Sequence, residues 1–209
     1  MRPLSCLSES NAVIALDAST AINLNATACA ATVLSCFKDR IVLPDIVLGE
    51  LEDGEAKGRQ DAQLTKALIS AGLIKTVSLW EAGWRCFEGL VVGEAAMTLD
   101  DGEAATIAYA VETGAVAVID ERKANRICAE RFQGVQLAAT VDLLAHAEVQ
   151  NAIGQDALAE AMFAALIGAR MRVLPHHVTW VVDLIGPERA CQCTSLPRSA
   201  RRLQAANAV

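Results

Sequence analysis

A chain of 209 residues that is 53% hydrophobic and 21% charged has the apolar content for one buried core, which excludes a disordered protein. Aromatic residues make up only 4%, so that core is built from Ala, Val, Leu and Ile. A formal charge of −7 excludes a surface that grips phosphate through a general excess of Lys and Arg, but not a nuclease, whose metal-holding carboxylates belong to the negative count.

Residues 1–10 read as a polar leader. Val13–Leu16 is an apolar run that predicts a buried strand ending in Asp17, and Asp17-Ala-Ser-Thr offers capping oxygens to a helix running to about Phe37. Ile41–Leu43 predicts a second strand, and Pro44 introduces a helix through Glu52 with Ile46, Val47, Leu48 and Leu51 on its apolar face. Asp61–Ala71 predicts a helix closed by Gly72, and Leu73–Leu79 alternates and carries β-branched residues as a strand does. Trp80, Trp84 and Phe87 fall at helical spacing, which suits core or dimer packing more than a stacking platform for bases.

Thr98 opens a long helix to Thr113, Gly114 ends it, and Ala115–Ile119 predicts a buried strand ending in Asp120. A helix over Glu121–Phe132, a strand over Val135–Leu137 and a helix over Thr140–Val149 continue the alternation. This cadence implies right-handed βαβ units and a mostly parallel sheet covered on both faces. Asp156–Ile167 and His176–Ile185 read as appended C-terminal helices, and the stretch from Pro187 with Arg198, Arg201 and Arg202 as a flexible tail. The predicted organisation is a leader (1–10), an α/β domain (11–150), a helical extension (151–186) and the tail (187–209).

Seven scattered cysteines (Cys6, Cys29, Cys36, Cys86, Cys128, Cys191 and Cys193) predict reduced thiols and a cytoplasmic protein. The opening Met-Arg-Pro-Leu-Ser-Cys lacks the apolar region expected of a secretory leader, and no apolar run reaches the roughly 18 residues of a membrane span. His146, His176, His177, Cys191 and Cys193 do not form a zinc set, because adjacent histidines point apart on a helix and Cys-x-Cys lacks a second pair. No phosphate-binding Gly-x-x-x-x-Gly-Lys-[Ser/Thr] loop occurs. Ser19 stands where a haloacid-dehalogenase phosphatase has its second aspartate.

The carboxylates sort by position. Asp17 and Asp120 end two strands, and the ligand crevice of an open parallel sheet lies outside such strand ends. Glu50 lies within a helix, and Asp100, Asp101 and Glu103 crowd a helix start. Oxygen donors without a histidine cluster suit Mg2+ or Mn2+, which activates water for phosphodiester hydrolysis. Plainer readings are helix caps worth about 1 kcal/mol for Asp17 and Asp120, a solvated face for Glu50, and complements to a helix dipole for Asp101 and Glu103. Arg122 and Arg126 share a helix face after Asp120, placed either to hold RNA phosphates or to pair Arg126 with Glu130.

Four phrases, in order, resemble the PIN-domain superfamily of metal-dependent ribonucleases, whose toxin branch includes VapC-type proteins. Val-Ile-Ala-Leu-Asp17-Ala-Ser-Thr is similar to the family's opening strand, and Ile-Val-Leu-Pro44-Asp-Ile-Val-Leu-Gly-Glu50 to its strand–Pro–helix segment. Leu-Asp-Asp-Gly102-Glu103-Ala-Ala-Thr resembles a branch in which Gly-Glu opens the third acidic helix, and Val-Ile-Asp120-Glu-Arg122 the fourth phrase. The resemblance covers about Val13 to Val149, and the segment from Gly154 resembles the C-terminal helices of the Gly-Glu branch.

The resemblance implies a three-layer α/β/α domain, a Mg2+ or Mn2+ site and endoribonuclease activity on an RNA substrate. It also implies homodimerisation and a cognate antitoxin. Asp17, Glu50, Glu103 and Asp120 would be catalytic and metal-binding, with Ser19 hydrogen-bonding a metal water. Glu103 departs from the aspartate usual in the toxin branch, which leaves Asp100 and Asp101 as competitors for the third position. The non-enzyme alternative is a PIN-like scaffold that binds RNA or a protein partner without turnover.

Overall fold

The computed structural model describes Leu7, residues 11–55 and residues 58–201. In chain order the elements are β1 (Ile14–Leu16), α1 (Ala18–Ala26), α2 (Ala30–Ser35), β2 (Ile41–Pro44), α3 (Asp45–Glu55), α4 (Asp61–Ser70), β3 (Lys75–Val77), α5 (Glu81–Val91) and α6 (Asp101–Thr113). There follow β4 (Val116–Val118), α7 (Arg122–Arg131), β5 (Leu137–Ala138), α8 (Thr140–Leu144), α9 (Ala147–Ile153), α10 (Gln155–Gly168), a 3-10 turn at Pro175–His177, α11 (Val178–Ile185), α12 (Pro187–Gln192) and α13 (Arg198–Arg201).

All strand pairs are parallel, in the order β3-β2-β1-β4-β5. Alternation along the central strands explains the layers, since successive side chains leave a strand on opposite faces. Ile14, Leu16, Ile41, Leu43, Val116 and Val118 feed one core cluster, while Ala15, Val42, Ala117 and Ile119 feed the other. On the second face the small Ala15 and Ala117 meet Ala104 and Ile107 of α6 and Ala124 and Ile127 of α7. The fold is therefore a three-layer α/β/α arrangement on a five-stranded parallel sheet. The scarcity of aromatics is consistent with this close approach of helix to sheet.

The C-terminal helices share the first core. Leu158, Met162, Ala165 and Leu166 of α10, and Val181, Val182 and Ile185 of α11, lie in one cluster with Leu16 and Leu24. Leu7 is fully buried there too, whereas the rest of the expected leader, residues 1–6 and 8–10, lies outside the described residues.

Several expectations are corrected. The first helix is two: Thr27 returns its hydroxyl to the Leu24 carbonyl, Ala28 turns left-handed (φ 58°), and the chain restarts at α2. The helix expected over Thr140–Val149 also divides, with His146 as N-cap of α9 accepting from the Glu148 N–H. The flexible tail expected from Pro187 instead forms α12 and α13 and buries Ala190, Cys193, Leu196 and Ala200; residues 202–209 lie outside the described residues. His176 and His177 do not point apart, because the tight 3-10 turn brings their tilted rings to 3.9 Å between centroids. Among the described residues no helix is long and apolar enough to cross a membrane.

Candidate active site

The register of the sheet sets the site. Leu16 pairs with Val118, so the next residues of both strands emerge together at one edge, bringing Asp17 and Asp120 to the same crevice. Helices α3 and α6 flank that edge and add Glu50, Asp100 and Glu103. The cleft has a volume of about 510 Å3, and all five carboxylates line it together with Ser19, Asn23 and Glu121.

Asp17 is 2% exposed. It caps α1, with Oδ1 accepting from the Thr20 N–H at 2.7 Å and Oδ2 from the Ser19 hydroxyl at 2.7 Å. The cap reading of Asp17 is thus geometrically true, and it is compatible with a place in the cleft. Asp120, also 2% exposed, does not cap α7, whose N-cap is Glu121. Instead it reaches across to β5–α8: Oδ1 accepts from the Thr140 N–H at 2.8 Å, and Oδ2 accepts from the Thr140 hydroxyl at 2.5 Å and from Asn23 Nδ2 at 2.7 Å.

The helix side is held more loosely. Asp100 is the N-cap of α6 but makes no side-chain capping bond. The carboxylate of Glu50 comes over from α3 and accepts from the Gly102 N–H. A Cβ at position 102 would collide with Glu50 Oε2. The glycine of the Gly102-Glu103 pair thus leaves room for a carboxylate beside the helix backbone, and a side chain there would make Glu50 turn away.

Burial, and for Glu50, Glu103 and Asp120 the charge of neighbouring acids, disfavours ionisation in the cleft. Burial first, and then the charge of Asp17, push Asp120 up to about 7 against the opposing bonds from Thr140 and Asn23. Burial, Asp17, Asp100 and Glu50 push Glu103 up to about 7. Asp17 is raised by burial, and Glu50, at the exposed mouth, by partial burial of its carboxyl and by Asp17, Asp100 and Asp101. Carboxyls raised by burial and by neighbouring acids mark a site short of positive charge.

Asp101 is exposed and is not among the cleft-lining residues, so Asp100 and Glu103 are the α6 acids that face the cleft. Arg122 and Arg126 also lie outside the lining; Arg126 is bound to Glu130 at 3.1 Å and to the Ala96 carbonyl. The cations in the cleft wall are Lys123, Arg170 and Arg172. Lys123 donates to the Ala95 carbonyl at 2.7 Å, and Arg172 pairs with Glu121. Sequence reasoning missed Asn23, Thr140, Arg170 and Arg172. Asn23 had a weak signal: it is a polar residue three positions after Thr20, on the face that α1 turns inward.

A family model, DUF3368, described as a PIN domain, matches residues 13–187. The chain belongs to the PIN-domain family. The match runs beyond the four acidic phrases, through α9, α10 and α11. No curated protein and no solved structure matches the chain. A PIN domain is a nuclease fold.

Oxygen donors on a polar cleft floor are the ligand chemistry that Mg2+ and Mn2+ prefer, and both ions keep several waters. Among the described residues, no group of three His, Cys, Asp or Glu side chains is drawn in closely enough to hold an ion directly. The hydrogen bonds give a physical reason. Glu50 is turned to the Gly102 N–H and Asp120 to Thr140 and Asn23, so an ion here would be held partly through water.

Proposed function

We propose that this PIN-domain protein is an endoribonuclease dependent on Mg2+ or Mn2+ that hydrolyses RNA phosphodiester bonds. The observation that carries the reading is the convergence of Asp17, Glu50, Glu103 and Asp120, from separate elements, on one cleft in which burial, and for three of them the charge of Asp17, raises the carboxyl pKa. A bound divalent ion would relieve that repulsion and supply an activated water for in-line attack. Asp17 and Asp120 would hold the ion from the strand side and Glu50 and Glu103 from the helix side. Ser19 orients the Asp17 carboxylate, while Asn23 and Thr140 fix both oxygens of Asp120.

The finer reading is a toxin of the Gly-Glu branch, cytoplasmic, homodimeric and neutralised by a cognate antitoxin. Its support is the Gly102-Glu103 phrase, whose glycine leaves room for the Glu50 carboxylate, and the exposed Trp80 (70%) and Trp84 (45%), which suit an interface. The rival reading, a silent scaffold for RNA or protein, draws support from the capping role of Asp17 and from acids that are not gathered into a cage. Calorimetric titration of Mn2+ into wild type and Asp120→Asn, paired with an RNA cleavage assay, decides between them. Binding and cleavage in wild type, both lost in the variant, are expected; no binding in wild type would establish the scaffold reading.

A further inference from the structure

The cleft has one wall that the acidic phrases do not supply. After α10 ends at Gly168, the chain runs past the cleft as Ala169, Arg170, Met171 and Arg172, all of which line it. Met171 is the anchor: its side chain is 1% exposed and its N–H returns to the Ala165 carbonyl. The two arginines on either side of this anchor are exposed.

Arg170 stands out for its backbone. Its φ is +54°, in the left-handed region that follows many helices and where glycine is the default because a Cβ is strained there. Ala28, Lys38 and Asp39 share a positive φ but are not among the cleft-lining residues. A strained non-glycine residue in a cleft wall is a pointer to function. The side chain sharpens the pointer. Lys123 is committed to a carbonyl and Arg172 to Glu121, whereas among the described residues no hydrogen bond or ion pair engages the Arg170 guanidinium.

We propose that Arg170 is a substrate-binding residue that grips a backbone phosphate of single-stranded RNA beside the scissile one, and that the α10–α11 connection is the substrate-facing wall of the cleft. A guanidinium matches the two oxygens of a phosphodiester in a bidentate fork. In a cleft whose floor is carboxylate, an unpaired cation at the rim attracts the strand without displacing the acids below it. This inference rests on the ribonuclease reading of the same cleft.

The experiment compares wild type, Arg170→Gly and Arg170→Lys. A short fluorescent single-stranded RNA of mixed sequence is titrated by anisotropy over a salt series in EDTA, which blocks metal-dependent cleavage. Melting temperature and Mn2+ calorimetry are measured on the same proteins. Arg170→Gly is expected to melt at or above the wild-type temperature, to bind Mn2+ as wild type does, and to bind RNA several-fold more weakly whatever its sequence. Its slope of log K against log salt should fall by about 0.7, the loss of one single-strand phosphate contact. Arg170→Lys should recover most of that slope.

Equal RNA affinity and slope in wild type and Arg170→Gly would overturn the inference while leaving the ribonuclease reading intact. A lower melting temperature in Arg170→Gly would overturn it too, by making Arg170 structural. Wild type that neither binds nor cleaves RNA would overturn both.

Discussion

The two halves of the acidic cleft carry the same chemistry under opposite constraint. On the strand side Asp17 and Asp120 are buried, and each of their oxygens accepts at least one hydrogen bond from the protein. On the helix side Glu50 has the Gly102 N–H, and Asp100 makes no capping bond. A carboxylate held by several donors keeps its position through changes of charge, while one with a single donor can turn. The strand half is thus preorganised, and the helix half is where any rearrangement around a cation would take place.

Thr140→Val attacks the fixed half. It removes the hydroxyl that donates to Asp120 Oδ2 and leaves a buried carboxylate short of a partner, so stability should fall by about 1.5–3 kcal/mol. Urea denaturation without metal measures this. A loss below about 0.5 kcal/mol would show that Asp120 is not held as tightly as its bonds suggest.

Gly102→Ala attacks the loose half. The added methyl meets Glu50 Oε2, while alanine itself favours a helix over glycine by up to about 1 kcal/mol. Stability should therefore change little. Mn2+ affinity, measured by calorimetry, should fall about tenfold, as is usual when the support of a ligand is disturbed. Unchanged affinity would remove Glu50 from the site.

The two halves also share a pH dependence. Asp120 and Glu103 are raised to about 7 from ordinary values of 3.8 and 4.5. Between those limits the folded chain holds more protons than the unfolded one, so metal-free stability falls as pH rises from about 4.5 to about 7 and levels off above. Melting temperature in EDTA should decline across that window, and saturating Mn2+ should flatten the decline. A melting temperature that rises between about pH 5 and 7 would show that burial and neighbouring acids do not raise these carboxyls.

Strands and long helices were legible because alternation and helical period are local properties of a chain. The breaks were less so. Splitting the first helix at Thr27–Cys29 depends on a hydroxyl returning to Leu24 and on Ala28 turning left-handed, which composition does not announce. The segment after Pro187 looked like a tail because its residues are small, polar and basic; its order comes from Cys193 and Leu196 finding space in the core.

The sequence by itself determined the parallel α/β class, the two aspartates at strand ends and the acidic phrases that mark a PIN domain. These depend on apolar periodicity and on residues at fixed offsets from it. Tertiary structure alone decided which acids of α6 face the cleft, that Asn23 and Thr140 hold Asp120, that Gly102 yields to Glu50, and that Arg170 rather than Arg122 or Arg126 enters the wall. Each of these joins residues tens of positions apart, and only the packing of helices on the sheet fixes their distance and direction.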